Sequence, residues 1–198
     1  MPQRHLLTST LAAFSLLALA ACTVPGSGDD GTDTSTDGSS GASGDVASCL
    51  EGNWSLDTAD LAGQLQAYFV ENGTPVTSTT QDGAVTLDVD ADTMTFESGV
   101  TFTMTAVTEG LTMVIAQDQA GISTGAWTVE GDDVVFSDWD NGITITNTIT
   151  IGGESVGDSM ELPADTGAGV PMTVNCDGDT LTTKPDESPF TSRWSRIG

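Results

Sequence analysis

From about position 85 onward, apolar side chains recur at every second residue, and that period decides most of what this chain can become. In the clearest stretch, Gly142 to Gly152, Ile143, Ile145, Ile149 and Ile151 alternate with Thr144, Thr146, Thr148 and Thr150. Successive side chains of a strand point to opposite faces, so this alternation describes a sheet with one apolar and one polar face. Shorter runs repeat it: Val85, Leu87 and Val89; Met94 and Phe96; Val100, Phe102, Met104 and Ala106; Leu111, Met113 and Ile115; Trp127 and Val129; Val134 and Phe136. Further strands are expected near 171–176, 180–184 and 191–197. Asp82-Gly83, Glu109-Gly110, Glu130-Gly131, Asn141-Gly142 and Asp177-Gly178 are candidate turns, since such dipeptides accept the positive φ of a tight hairpin. The fold class is mainly β: an antiparallel meander of about 8–10 strands, expected to close into a barrel because closure removes exposed edges.

One segment departs from the period. Gly52-Asn53-Trp54-Ser55-Leu56 reads as the first strand, and after it Leu61, Leu65, Tyr68 and Phe69 fall at i, i+4, i+7 and i+8. That spacing is the apolar stripe of one helix after the first strand, over about 58–72. Asp57 suits its N-cap and Gly73 its C′ position, with Pro75 just beyond. No Lys or Arg lies on its polar face. The helix is therefore expected to pack on the sheet, at a barrel end or on its side, and not on a membrane.

The N-terminal quarter has another texture. Arg4 precedes an apolar run from Leu6 to Ala21, which reads as an export signal over 1–21, too short and wrongly flanked for a stable membrane span. Leu19-Ala20-Ala21-Cys22 resembles the lipobox of bacterial lipoproteins. The resemblance implies cleavage before Cys22, lipidation of its thiol, and anchoring on the outer face of the cell membrane, for which two or three acyl chains suffice. Residues 23–48 are mostly Gly, Ser, Thr and Asp, and with Cys22 they read as a disordered acidic tether (22–48) with an r.m.s. span of roughly 28 Å. The folded domain is then expected over 49–198. With Cys22 lipidated, Cys49 and Cys176 remain as a pair in an oxidising location. A disulfide closing so long a loop contributes on the order of 4–5 kcal/mol in the chain-entropy model. Free thiols or a shared metal site are the weaker readings, since no histidine is left to complete one.

Composition narrows the function. All 29 acidic residues lie beyond position 21, against Lys184, Arg193 and Arg196. Such a chain repels nucleic-acid phosphates and anionic headgroups, so neither is expected as a partner of the folded part. Multivalent cations and basic proteins would be attracted, but solubility is the simpler reading of the charge. The one histidine, His5, falls in the signal, so no Ser-His or Cys-His pair and no histidine metal ligand is expected in the mature chain. No phosphate loop or dinucleotide fingerprint appears. Asp88-Val89-Asp90-Ala91-Asp92 opens like a calcium loop, but Thr93 stands where the turn needs Gly and Gly99 where a bidentate Glu belongs. No enzyme activity, cofactor, metal or catalytic residue is expected.

Two short sites carry a family resemblance. Gly52-Asn53-Trp54 in the first strand, with Arg193 and Arg196 flanking Trp194 in the last, resembles the pattern of lipocalins, members of the calycin superfamily. Cys49-Leu50-Glu51-Gly52-Asn53-Trp54 and Cys176-Asp177-Gly178-Asp179-Thr180-Leu181 are similar to the corresponding stretches of lipocalin-like lipoproteins of high-GC Gram-positive bacteria. The early helix and the cysteine pairing depart from the usual lipocalin arrangement. The resemblance implies a barrel whose end is closed by Arg193 or Arg196 stacking on Trp54. Met94, Phe102, Met104, Met113 and Phe136, with Asn147, would then line a cavity for a small apolar or amphipathic ligand, or else simply fill the core. Asn147 reads equally as a satisfied buried amide. Trp139 has the opposite parity from Val134 and Phe136, and is the candidate for a surface contact with an envelope protein or wall polymer. Oligomeric state is not written in the sequence.

Overall fold

A computed structural model describes residues 42–131, 133–156, 160–163, 170–186 and 188–198. The signal, Cys22 and the first part of the tether lie outside the described residues. The folded chain begins before Cys49. Helix α1 (Ala42–Leu50) takes in residues 42–48, which had been assigned to the tether by their composition. Val46, Ala47 and Leu50 lie on one side of it and pack against the core, Leu50 completely buried. Three apolar side chains were too few to register against a Gly/Ser background, yet they suffice once a core is there to receive them.

Strand β1 (Gly52–Leu56) and helix α2 (Thr58–Glu71) follow the expected boundaries. Asp57 caps α2 by accepting the Asp60 N–H at 2.9 Å, and Gly73 takes φ +83° beyond the other end. Ala62 is buried, and Leu61 and Leu65 pack on the core. The helix also lies against strand β2 (Val76–Val89), which meets β1 only through Thr86–Val89. Gln66 Oε1 accepts the Thr79 N–H at 3.2 Å. A stretch of strand edge that would otherwise be open is thus covered by a helix.

The remaining strands are β3 (Thr93–Thr108), β4 (Leu111–Glu130), β5 (Asp133–Asn141), β6 (Thr144–Ile151), β7 (Glu154–Ser155), β8 (Met160–Pro163), β9 (Met172–Asp177), β10 (Thr180–Pro185) and β11 (Ser192–Arg196). They form one antiparallel sheet in the order β3-β2-β1-β11-β10-β9-β5-β4-β6-β7, with β3 also on β4 and β8 on β6. Eight strands, β1 to β5 with β9, β10 and β11, make a partial ring. Its thinnest junction is β5 with β9, joined only at Asp133–Thr173 and Val134–Met172. Inside this ring sits the core, with Trp54, Leu87, Met94, Val134 and Leu181 at its most buried positions.

Two expected turns are not turns. Asp82-Gly83 lies within β2, paired with Thr101 and Val100 of β3. Asn141-Gly142 falls between β5 and β6, yet both strands run along the same side of β4, so the chain does not reverse there. Ser123 Oγ receives the N–H groups of Gly142 and Ile143 at 3.2 and 3.3 Å, replacing the ladder bonds lost at the break. Glu109-Gly110, Glu130-Gly131 and Asp177-Gly178 do connect neighbouring strands. The predicted short strands therefore merge into longer ones, and the sheet is less of a simple meander than the period suggested.

The misread glycines have a shared purpose. Gly83, Gly99, Gly121 and Gly142 stand side by side on neighbouring strands, where backbones approach too closely for side chains at three of the four positions. A Cβ on Gly83 would strike the Gly99 carbonyl, one on Gly121 the Gly142 carbonyl, and one on Gly142 the Ile122 carbonyl. Gly83 and Gly121 also take φ of +98° and +128°. Glycines of this kind mark a kink in a sheet. Gly121→Ala is expected to cost about 1–3 kcal/mol in equilibrium urea unfolding. Gly99→Ala, whose Cβ meets nothing within 4 Å, is expected to stay within about 0.5 kcal/mol of the parent.

Candidate functional site

The first constellation joins the two ends of the domain. Trp54 is fully buried, and its indole N–H donates to the Leu50 carbonyl at 2.8 Å. Antiparallel pairing of β1 with β11 sets Arg196 opposite Trp54. The guanidinium carbon lies 4.1 Å from the indole ring centroid. Its Nη1 donates to the Glu51 carbonyl at 2.8 Å and its Nη2 to the Cys49 carbonyl at 2.9 Å. A planar cation thus covers an aromatic face while capping carbonyls at the C-terminal end of α1. Gly52 makes room for it, since a Cβ at that position would collide with Arg196 Nη1. Cys49 and Cys176 form a disulfide with Cα atoms 6.3 Å apart, tying α1 to β9.

The two arginines are not equivalent. Arg193 has the other parity, remains 59% exposed and approaches Asp60 at 3.8 Å. Arg196 is the one that stacks. Trp194, between them, is buried and donates to Thr183 Oγ1 at 3.0 Å. Trp127 is also buried, its indole N–H donating to the Asp90 carbonyl at 2.9 Å.

The residues expected to line a cavity separate into two groups. Met94, Phe102 and Phe136 belong to the packed core. Met104 is buried on the same face, Met113 is half-buried, and Asn147 is buried with its Oδ1 accepting from Gln117 Nε2 at 3.2 Å. Trp139 is not the surface residue its parity suggested. Asp138 takes φ +51°, the register of β4 with β5 slips between Thr124 and Ala126, and the bulge turns Trp139 inward. It packs on Phe136 and Phe96 with ring centroids 5.2 and 5.6 Å away. Gly125 lies beneath it, where a Cβ would meet the indole. Phe96 also meets Trp194 at 6.0 Å, so aromatic rings fill the ring's interior.

Beyond the glycine kink, β2, β3, β4 and β6 continue as a sheet whose inner face is buried along β3 and at Ile145 and Asn147 and half-buried along β4 and at parts of β2 and β6. Thr79, Gln81, Met113, Ile115, Gln117, Gln119 and Ile149 are half-buried there. Register places Gln81, Phe102, Gln117 and Asn147 in one row across the four strands, with Val100, Gln119 and Ile145 in the next. Gln119 Nε2 donates to Gln117 Oε1 at 3.1 Å, which extends the Gln117–Asn147 bond into a chain of three amides. Over these strands Asp82, Asp88, Glu97, Asp118 and Glu130 all fall on the outer parity. The inner face is therefore polar in places but uncharged. Reading β4 as ending near Ile115 concealed this, although Gln117 and Gln119 continue the parity of Met113 and Ile115.

On the outer face, Asn53, Thr86, Asp88, Asp90, Thr95, Glu97 and Ile197 border an open groove of about 350 Å³. Among the described residues, no three acidic, histidine or cysteine side chains gather as a metal site. Comparison with protein-family models, curated proteins and solved structures gave no match. Arg196→Ala is expected to lower stability by about 2–4 kcal/mol in thermal or urea unfolding, since the stacking and two charge-assisted bonds go together. Arg193→Ala, which removes an exposed pair, is expected to change it by less than about 1 kcal/mol.

Proposed function

We propose that this chain is an extracytoplasmic lipoprotein, anchored through Cys22, whose sheet acts as a lipocalin-like barrel that binds a small apolar or amphipathic molecule. The observation that carries this reading is the half-buried inner face beyond the kink. Met113, Ile115 and Ile149 remain partly open there, while inward residues inside the ring, such as Leu87, Met94 and Val134, are fully packed. A partly open apolar surface continuous with a rigid core suits the binding of an apolar molecule, and Met adapts its shape to different occupants.

Binding, not catalysis, is the proposed activity, and a lipid anchor with a spacer fits a protein that meets its ligand near the membrane surface. The other reading, an outer surface that meets an envelope protein or wall polymer, was centred on Trp139. That side chain packs against Phe96 and Phe136, which leaves the inner face as the better-supported site.

Native mass spectrometry after mild extraction is expected to show an adduct of lipid-like mass. Titration with the neutral dye N-phenyl-1-naphthylamine is expected to saturate at one site. Ile115→Asp, which sets a charge on the apolar face, should weaken dye binding by at least about 10-fold with the fold retained by circular dichroism. A repeatedly empty protein that leaves the dye unbound would overturn the proposal.

A further inference from the structure

If the inner face is the ligand site proposed above, its chemistry also selects the ligand's polar group. We infer that the cup takes an amphiphile with an uncharged, hydroxyl- or amide-bearing headgroup, held at Gln117, Gln119 and Asn147. A carboxamide both donates and accepts hydrogen bonds without carrying charge, which matches hydroxyls and amides. The two bonds that link the three amides fix their orientation and engage a minor part of their capacity. Thr79 Oγ1 adds a polar group on the same face, buried and without a hydrogen-bond partner among the described residues. Thr79 lies opposite Met104, one inward position from Gln81.

Charged headgroups fit this face poorly. No acid or base of β2, β3, β4 or β6 shares the inner parity, and Glu154 of β7, opposite Ile151, stands at the far end from the amides, so an ammonium or a carboxylate beside the amides would lose hydration without gaining a counter-ion. The acidic surface of the chain opposes anions further. The arrangement also orients the ligand. The amides lie next to the kink, while the rows Met104–Ile115–Ile149 and Ala106–Met113–Ile151 lead from them toward the far end of the hairpins. From Gln117 to Leu111 the strand advances about 20 Å at ~3.4 Å per residue, enough to carry a dodecyl chain. The head therefore enters deepest and the chain trails outward.

The test compares three surfactants of equal chain length below their micelle concentrations: dodecyl glucoside, dodecanoate and dodecyltrimethylammonium. The protein is the full chain with Cys22→Ser, secreted and handled without detergent, in enough salt to screen its outer acids. Displacement of N-phenyl-1-naphthylamine reports each affinity. Dodecyl glucoside is expected to bind at least about 10-fold more tightly than either charged surfactant. Gln119→Leu and Gln117→Leu are expected to reduce the preference for dodecyl glucoside over the two charged surfactants by about 10-fold. Gln119→Met, with nearly the same volume, repeats the measurement if Leu disturbs the fold. Equal binding of all three surfactants, or a preference for a charged one, overturns the headgroup assignment while the cup stands. Failure of the dye itself to bind overturns the cup as well.

Discussion

The contact of Arg196 with Trp54 holds together parts of the chain that nothing local would bring into place. One guanidinium joins the first strand to the last and caps carbonyls at the C-terminal end of α1, and the Cys49–Cys176 disulfide adds β9 to the same corner. Each partner constrains the others. Gly52 must lack a side chain so that the guanidinium can lie flat, Trp54 must be buried for the cation to be shielded, and β11 must return beside β1 to deliver it. The partial ring has one weak junction, between β5 and β9, and the corner at Arg196 lies on its strongly paired side.

The glycine line is the second organising constraint, and it separates two environments within a single sheet. On one side inward residues meet across the ring, with Phe96 in edge contact with Phe136, Trp139 and Trp194, and Phe136 tilted against Trp139. On the other, the same strands carry three linked amides beside Phe102, with the face half-buried along β4. On the proposed reading, stability and binding fall on different lengths of the same strands. Long strands with a kink achieve this without a second domain.

Much of this was legible in the sequence because the signals were local. The period of two located most strands, the i, i+4, i+7 stripe and Asp57 located α2, and Gly-x-Trp with a terminal Arg located the closing corner. What was missed depended on partners far along the chain. A glycine after Asp or Asn looks like a turn until the neighbouring strand supplies Gly99 or Gly121 beside it. Trp139 changed face because of a single bulge at Asp138, and parity counting assumes no bulges. Gln117 and Gln119 were passed over because a period defined by apolar residues ends where amides begin. Helix α1 went unread because its three apolar contacts matter only against an existing core.

The disulfide acquires a mechanical meaning if the chain is held at its N-terminus. A pull arriving from that side enters through α1. Without a crosslink, the load would run into the five residues of β1 and peel them from β2 and β11 one rung at a time. The bond from Cys49 to Cys176 passes part of it to β9, which is paired with β10 along its whole length. Arg196 shares the strain by gripping the carbonyls on either side of Leu50. In a chain held that way, the corner that closes the fold would also be its point of suspension.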